Sequence, residues 1–371
     1  MKKVLFVLLF SLMGLLVSAQ TEGYRYHIRY VTEHELFLQG DAMNVVDYDL
    51  EWPEFLNGTT PEVLQRRLEQ ELFQQVDSTW KQAKSKFEVQ FGNKVVKQLA
   101  FIPDDKKFCY ISCQLRELGL WKERFASFEV NVSIKPQAMS AYKEYQHQSI
   151  VVYDMISGEI LNASQIIRMN RATSADDQGQ FSALLLSNVE EPLANLPTSI
   201  SLGKEMGVGN QHLIVPYVAF GDNVNDYVLE TAYVPITQLD GYLSKDFLKR
   251  LQQTPKLTST VAPTLDGDDV TSLPDVMPSL PLGGVTYQTY LAKHVKISGL
   301  AKLEKTSSRV IASFVVEEDG SVRDVSILQP CSPSIDREVV RAVKMMPRWK
   351  PGKKTGKTIK VRIVVPLVLK M

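Results

Sequence analysis

The pattern of hydrophobic and polar positions over residues 20–251 predicts mostly strands, with helices between them. Residues 24–31, 95–101, 107–115, 125–134, 149–154, 212–220 and 227–234 have the residue types and two-residue alternation of strands. Thr60, Pro61 and Glu62 predict a helix start, because threonine can cap, proline fits the first helical position and glutamate suits the positive end. A short helix is expected at 164–169, and apolar residues at 239, 243, 247 and 251 predict a closing helix at 239–251.

The next segment, residues 252–282, has the composition of a linker. It contains Pro255, Pro263, Pro274, Pro278 and Pro281 with threonine, serine and aspartate between them. Such a segment cannot bury a core, so we expect it to be extended and mobile.

Periodic patterns return in residues 283–371. They predict a helix at 286–294, strands at 308–317 and 322–328 joined by the hairpin turn Asp319-Gly320, a helix at 335–346 and a last strand at 359–369. The chain is therefore predicted to be α+β, with two domains that each pack an antiparallel sheet against helices and are joined by the proline-rich linker.

The first residues predict export from the cytoplasm. Lys2 and Lys3 precede an apolar run over 4–17, and small residues then lead to a cleavage site between Ala19 and Gln20. The run is shorter than the ~20 apolar residues of a membrane-spanning helix. We expect a cleaved signal peptide over 1–19 and a periplasmic protein. The alternative is an uncleaved anchor that holds the chain on the inner membrane, facing the periplasm.

Composition and motifs exclude several classes of function. Lysine plus arginine and aspartate plus glutamate number 42 each, so bulk charge does not favour nucleic acid. Cys109, Cys113 and Cys331 lack metal-ligand spacing and are interpreted as small buried residues. No catalytic motif is present, and the aspartates at 222–226 and 266–269 are interpreted as turn and linker residues. We expect no enzymatic activity, metal or cofactor.

Three segments of the last domain resemble the C-terminal domain of TonB-type energy transducers, in the form usual for Bacteroidetes. Residues 314–327 resemble its central hairpin, 335–352 its helix and tryptophan-proline-glycine turn, and 356–369 its last strand. The resemblance implies that this strand lies at a sheet edge and accepts the TonB box, a short extended peptide of an outer-membrane receptor, by strand addition.

The residues carried over by this resemblance fall into three groups. The docking edge is residues 360–365, namely Lys360, Val361, Arg362, Ile363, Val364 and Val365. Arg348 and Lys350 flank the turn as candidate receptor contacts or as a solvated basic rim, and Trp349 is expected to be a core anchor. A free edge would also allow two copies of the chain to form a homodimer by strand pairing.

A second resemblance concerns the first domain. Residues 151–161, 213–221 and 234–239 resemble the α+β module of RsiV-type anti-sigma factors and PdaC-type peptidoglycan deacetylases. Residues 145–148 do not carry the glycine-rich loop usual in that module. Tyr153 and Tyr217, which could bind a ligand, are expected to be core residues.

The sequence thus predicts an exported adaptor that binds an outer-membrane receptor or other envelope protein at its last strand. The N-terminal domain is expected to bind a peptidoglycan-related or protein ligand. A competing hypothesis is a membrane-anchored, TonB-like energy transducer. That role fits less well, because the first segment resembles a cleaved signal, no histidine precedes His27 and the linker is short. Two further hypotheses stay open, namely a cell-wall hydrolase or deacetylase and a purely structural envelope protein.

Overall fold

A computed structural model describes residues 24–40, 42–95, 108–121, 124–137, 142–172, 178–190, 197, 199–203, 205–221, 227–253, 270–271, 273–304 and 309–369. The predicted signal peptide with its cleavage site at Ala19 and Gln20 lies outside these residues, as does the predicted strand at 95–101 except for Val95. Within the described ranges, the helices are too short or too polar to cross a membrane.

The chain begins with a long hairpin and a helical crossover. The elements are β1 (His27–Gln39), β2 (Ala42–Phe55), α1 (Glu62–Phe73), α2 (Trp80–Glu88), β3 (Asn93–Lys94) and β4 (Phe108–Trp121). Strands β1 and β2 are antiparallel, whereas β4 runs parallel to β2. A parallel pair needs a long connection, and here the connection carries both helices. They pack on the sheet through a core that includes Trp52, Leu68 and Phe87.

The sheet continues as a meander of β5 (Phe125–Pro136), β6 (Tyr145–Asp154) and β7 (Glu159–Leu161). The next elements form a second sheet and its helices. They are α3 (Ala163–Ile166), α4 (Met169–Ala172), α5 (Gln178–Leu186), β8 (Ser199–Leu202), β9 (Gly207–Val208), β10 (His212–Phe220), β11 (Tyr227–Pro235) and α6 (Lys245–Gln252). Tyr153 and Tyr217 are 7% and 2% exposed, which confirms them as core residues.

Two helix predictions in this part are corrected by the structure. The predicted helix at 239–251 begins only at Lys245, because Gly241 has φ +77° and Ser244 is the N-cap residue, its hydroxyl accepting a hydrogen bond from the Phe247 N–H at 2.9 Å. The predicted helix at 164–169 is replaced by the two short helices α3 and α4.

The C-terminal part contains the five predicted elements in the predicted order, together with three short elements that were not predicted. It contains β12 (Val270–Thr271), α7 (Tyr287–His294), α8 (Leu300–Leu303), β13 (Arg309–Val316), β14 (Val322–Gln329), α9 (Pro333–Lys344), β15 (Gly352–Lys354) and β16 (Lys357–Val368). Thr286 caps α7, and Ser332 caps α9 with Pro333 in the first turn. One face of α9 packs on the sheet through Ile335, Val339 and Val343.

The α+β prediction is confirmed, but the two parts share one sheet. Strand β1 pairs with β14 at Ile28↔Ile327 and Arg29↔Ser326. The twelve-stranded sheet therefore runs in the order β12-β16-β13-β14-β1-β2-β4-β5-β6-β7, with β15 on β16 and β3 on β1. The sheets were expected to be separate and antiparallel, whereas they are joined and contain the parallel pairs β2–β4 and β12–β16.

Candidate peptide-docking edge

Strand β16 is paired along one side and partly paired along the other. Its inner side forms a ladder with β13 from Val361↔Val316 to Val368↔Arg309. Strand β15 pairs with positions 357–359 of β16, and β12 covers Lys360 and Val361 on the side opposite β13, here called the outer side. Within the described ranges, no strand pairs with the outer side between Arg362 and Val368. The outer side of the docking edge predicted at 360–365 is thus covered at its first two positions, and no strand of the described ranges lies on that side at the other four.

The side chains of the docking edge alternate between two environments. Val361, Ile363 and Val365 are buried in the core under α9, so only their backbone could meet a partner. Arg362 lies on the other face, where its guanidinium donates to Asp324 Oδ2 at 2.8 Å and to Ser313 Oγ at 3.1 Å. Arg362 is therefore a structural cation of the sheet face rather than a free contact residue.

A bulge in the neighbouring hairpin places Asp324 beside Arg362. The register of β13 and β14 shifts between Ser313 and Val315, and Asp324 adopts φ +52° there. The carboxylate also pairs with Arg29 of β1. Burial by itself would raise the pKa of Asp324, but the hydrogen bond from Arg362 and the charge of Arg29 hold it below its usual range.

The linker contributes to this edge, so the expectation that it is mobile is wrong for residues 273–282. The amides of Asp275 and Val276 donate to the carbonyl of Lys353 at 2.9 and 3.0 Å, and the Lys353 amide returns a bond to Val276 at 3.0 Å. Ser279 and Lys350 exchange two further backbone bonds, at 2.8 and 3.1 Å. The segment therefore extends the sheet outside β15.

The three residues of the predicted tryptophan turn have different roles. Trp349 is 4% exposed and packs on Phe314 and Tyr287, which agrees with the predicted core anchor. The Arg348 side chain is 75% exposed and lies 3.4 Å from Asp319, so its ion pair is weak. Lys350 is exposed, but its backbone is engaged by the linker.

A buried ion pair fixes the N-terminal part to α9. Glu51 of β2 is fully buried and accepts from Arg337 Nε at 2.6 Å and Nη2 at 3.0 Å. It also accepts from Arg116 at 3.2 Å and from the Glu117 amide at 2.7 Å. Burial and the carboxylates of Asp336 and Glu51 raise the pKa of Glu117 well above its usual range. This cluster and the β1–β14 pairing hold the two parts of the chain together.

Neither the ordered linker nor the role of Arg29 was predicted from the sequence. A signal for the linker was present, because Leu273, Val276, Met277, Leu280 and Leu282 place apolar residues between its prolines. Leu280 is buried against the C-terminal core. The pairing of Arg29 with Asp324 joins residues 295 positions apart and has no local signal.

Comparison with known families agrees with the C-terminal fold. Residues 298–370 match the family model described as the Gram-negative bacterial TonB protein C-terminal. The predicted resemblance is confirmed over this minor part of the chain, so the C-terminal region is TonB-like. Proteins of that family are associated with the cell envelope, and their C-terminal domains generally interact with outer-membrane receptors.

Comparison of the whole chain adds little. No curated protein matches the sequence. One similar solved structure is a DUF3298 family protein from Pseudomonas aeruginosa PAO1. It has 12% sequence identity and a TM-score of 0.34, and the similarity covers 60% of this chain and 95% of that chain. A similarity at this level carries no functional argument.

Proposed function

We propose that the chain is an exported envelope adaptor that binds an extended segment of an outer-membrane receptor, or of another envelope protein, by adding it as a strand beside β16. The observation that carries this proposal is the outer side of β16 in a TonB-like region. No described strand pairs with it from Arg362 to Val368.

The physical argument is that an unpaired strand edge presents backbone donors and acceptors in a fixed spacing. An extended peptide can satisfy them without any change in the sheet, and its alternate side chains then face the two sides of the edge. Pro366 has no N–H, so it limits the donors available near the end of the strand. Val368 is 69% exposed and offers an apolar contact beyond it.

We also propose that the N-terminal region binds a peptidoglycan-related or protein ligand and has no catalytic role. On the same proposal, the mature chain lies in the periplasm after cleavage between Ala19 and Gln20. Mass spectrometry of the protein from fractionated cells tests the location. A soluble periplasmic chain that starts at Gln20 is expected. A chain that keeps Lys2 and remains with the inner membrane would favour the membrane-anchored transducer.

Strand addition is tested with the mature protein and short synthetic peptides of alternating valine and threonine. In a strand, alternate amides point to opposite sides. N-methylation of one alternate set should therefore abolish binding, whereas methylation of the other set should leave it nearly unchanged. Fluorescence anisotropy of labelled peptides measures both. Equal binding of the two methylated peptides, or no binding of the parent peptide, would contradict docking through the backbone.

A further inference from the structure

A groove lies beside the docking edge, and both parts of the chain line it. It has a volume of about 520 Å³. Trp80 and Lys81, at the start of α2, come from the N-terminal part, whereas Lys360 and Arg362 come from β16. Val270 of β12 also lines the groove, next to the position where β12 pairs with Lys360. A peptide that took the place of β12 would therefore meet side chains of α2 as well as the edge strand.

The charges of the groove are unequal. Five cationic side chains line it, those of Arg29, Lys81, Arg323, Lys360 and Arg362, against the two carboxylates of Glu33 and Asp324. Both carboxylates already pair with cations within the fold, and Glu33 shares Lys84 with Glu88.

The ion pairs of these groups show which cations have an acidic partner within the fold. Arg362 holds Asp324 at 2.8 Å, and Lys84 holds Glu33 at 2.8 Å. Arg29 bonds to Asp324 and Glu54, and Arg323 bonds to Glu317. Lys81 and Lys360 have no acidic partner among the described residues, so one unneutralised cation comes from each part of the chain.

The strand that now lies at the groove is short. Of the linker residues that the structure describes, Val270 and Thr271 pair with β16, so the described β12 contributes few backbone bonds there. The residues that directly precede it in the sequence include Asp266, Asp268 and Asp269. The chain's own occupant thus belongs to a segment that combines acidic residues with a β-branched pair.

We infer that the groove selects an acidic partner: an extended protein segment that displaces β12, pairs with the backbone of Lys360 and Val361, and places carboxylates between Lys81 and Lys360. This inference rests on the proposed strand addition and specifies its partner. In this arrangement, Lys81 of the N-terminal part would contact the peptide directly. Carboxylates would complement the two cations, and the interaction would weaken with salt.

The test compares two peptides with the mature full-length protein. Both carry the same alternating valine–threonine core, and one begins with two glutamates where the other begins with two glutamines. We expect the glutamate peptide to bind more tightly, with a preference of about two- to fivefold for each lysine at low salt. Lys81→Gln and Lys360→Gln should each reduce this preference, and the double variant should abolish it. Lys86→Gln on α2, which also removes an ion pair with Asp77, and Lys357→Gln on β16 are controls outside the groove.

The outcomes separate this inference from the proposed function. If neither peptide binds, strand addition itself fails. If both peptides bind equally, strand addition stands and the acidic partner is wrong. If Lys360→Gln reduces the preference for the glutamate peptide but Lys81→Gln does not, the inferred contact between the N-terminal part and the peptide is refuted. Loss of the preference in either control variant would also refute the assignment to this groove.

Discussion

The ion pair between Arg337 and Glu51 offers the clearest test of how the two parts are joined. Arg337→Met removes the guanidinium and keeps a side chain of similar length. Glu51 then loses the bonds from Nε at 2.6 Å and Nη2 at 3.0 Å and keeps only Arg116 at 3.2 Å and the Glu117 amide at 2.7 Å. Because Glu51 is fully buried, water cannot replace the lost donors.

The magnitude follows from this partial loss. Removing one partner of a buried pair costs about 3–5 kcal/mol when the remaining charge is left alone. Two donors to Glu51 remain, and the Arg337 side chain is 30% exposed, so the loss of stability should lie at or below the lower limit of this range. We expect the free energy of unfolding to fall by about 2–3 kcal/mol.

Urea denaturation at neutral pH measures the change as a shift of the midpoint at constant slope. Arg348→Met is the control, because that side chain is 75% exposed and should change stability by less than about 0.5 kcal/mol. The double variant Glu51→Gln with Arg337→Met removes the buried charge as well, and should be more stable than Arg337→Met alone. A shift for Arg337→Met no larger than that of Arg348→Met would refute the reasoning. So would a double variant whose loss equals the sum of the single losses.

Three further predictions concern single positions. Burial and the charge of Arg29 lower the pKa of His27 to about 4, so protonation of this residue opposes folding. Stability should fall as pH drops from about 6.5 towards 4, by about 3 kcal/mol in total, and His27→Gln should remove this part of the pH dependence of the urea midpoint. Gly320→Ala should lower the free energy of unfolding by about 2–4 kcal/mol, because φ is +80° and a Cβ would lie 2.0 Å from the Trp349 carbonyl oxygen. Gly356→Ala is the control in the same urea assay. It has φ +79° and open space around the Cβ position, so it should lower the free energy of unfolding by about 1 kcal/mol. Replacing Val270 and Thr271 by glycine should speed hydrogen exchange at the one amide of residues 360–361 that faces β12, without changing the urea midpoint, since the described part of β12 covers just this short stretch of β16. The first prediction is wrong if His27→Gln leaves the pH dependence unchanged. The second is wrong if the two alanine variants lose equal stability, and the third if hydrogen exchange at 360–361 does not change.

Much of the C-terminal fold follows from local signals in the sequence. The alternation before and after Asp319-Gly320 predicted β13 and β14, and the apolar stripe at 335–346 predicted α9 with small shifts at both ends. These elements are well predicted because residues close in sequence determine them. The glycine at 320 also has a tertiary reason, since its backbone lies against Trp349.

Other features depend on partners distant in sequence. The pairing of β1 with β14 carries no local mark, and its bond between His27 and Ser326 spans 299 positions. The linker was expected to be mobile because proline and polar residues dominate it, but Leu280 is buried and the segment bonds to Lys350 and Lys353. Composition describes the average of a segment, whereas a few apolar residues and backbone bonds decide whether it docks.

The docking edge also combines features that the local sequence predicts with features that depend on residues distant in sequence. The strand and its alternation could be predicted, as could the burial of Trp349. The pairing of Arg362 with Asp324 could not, because it depends on a bulge that places Asp324 at positive φ. The groove could not be predicted either. It forms because α2 lies beside β16, and that placement depends on the sheet that joins the two parts of the chain.

The most direct test of the central claim is hydrogen exchange of the β16 amides in the mature protein, with and without the glutamate peptide. Strand addition predicts slower exchange confined to the outward-facing amides of residues 360–368, while the amides of α9 stay unchanged. Peptide binding that leaves β16 unprotected, or that protects α9 instead, would contradict docking at this edge.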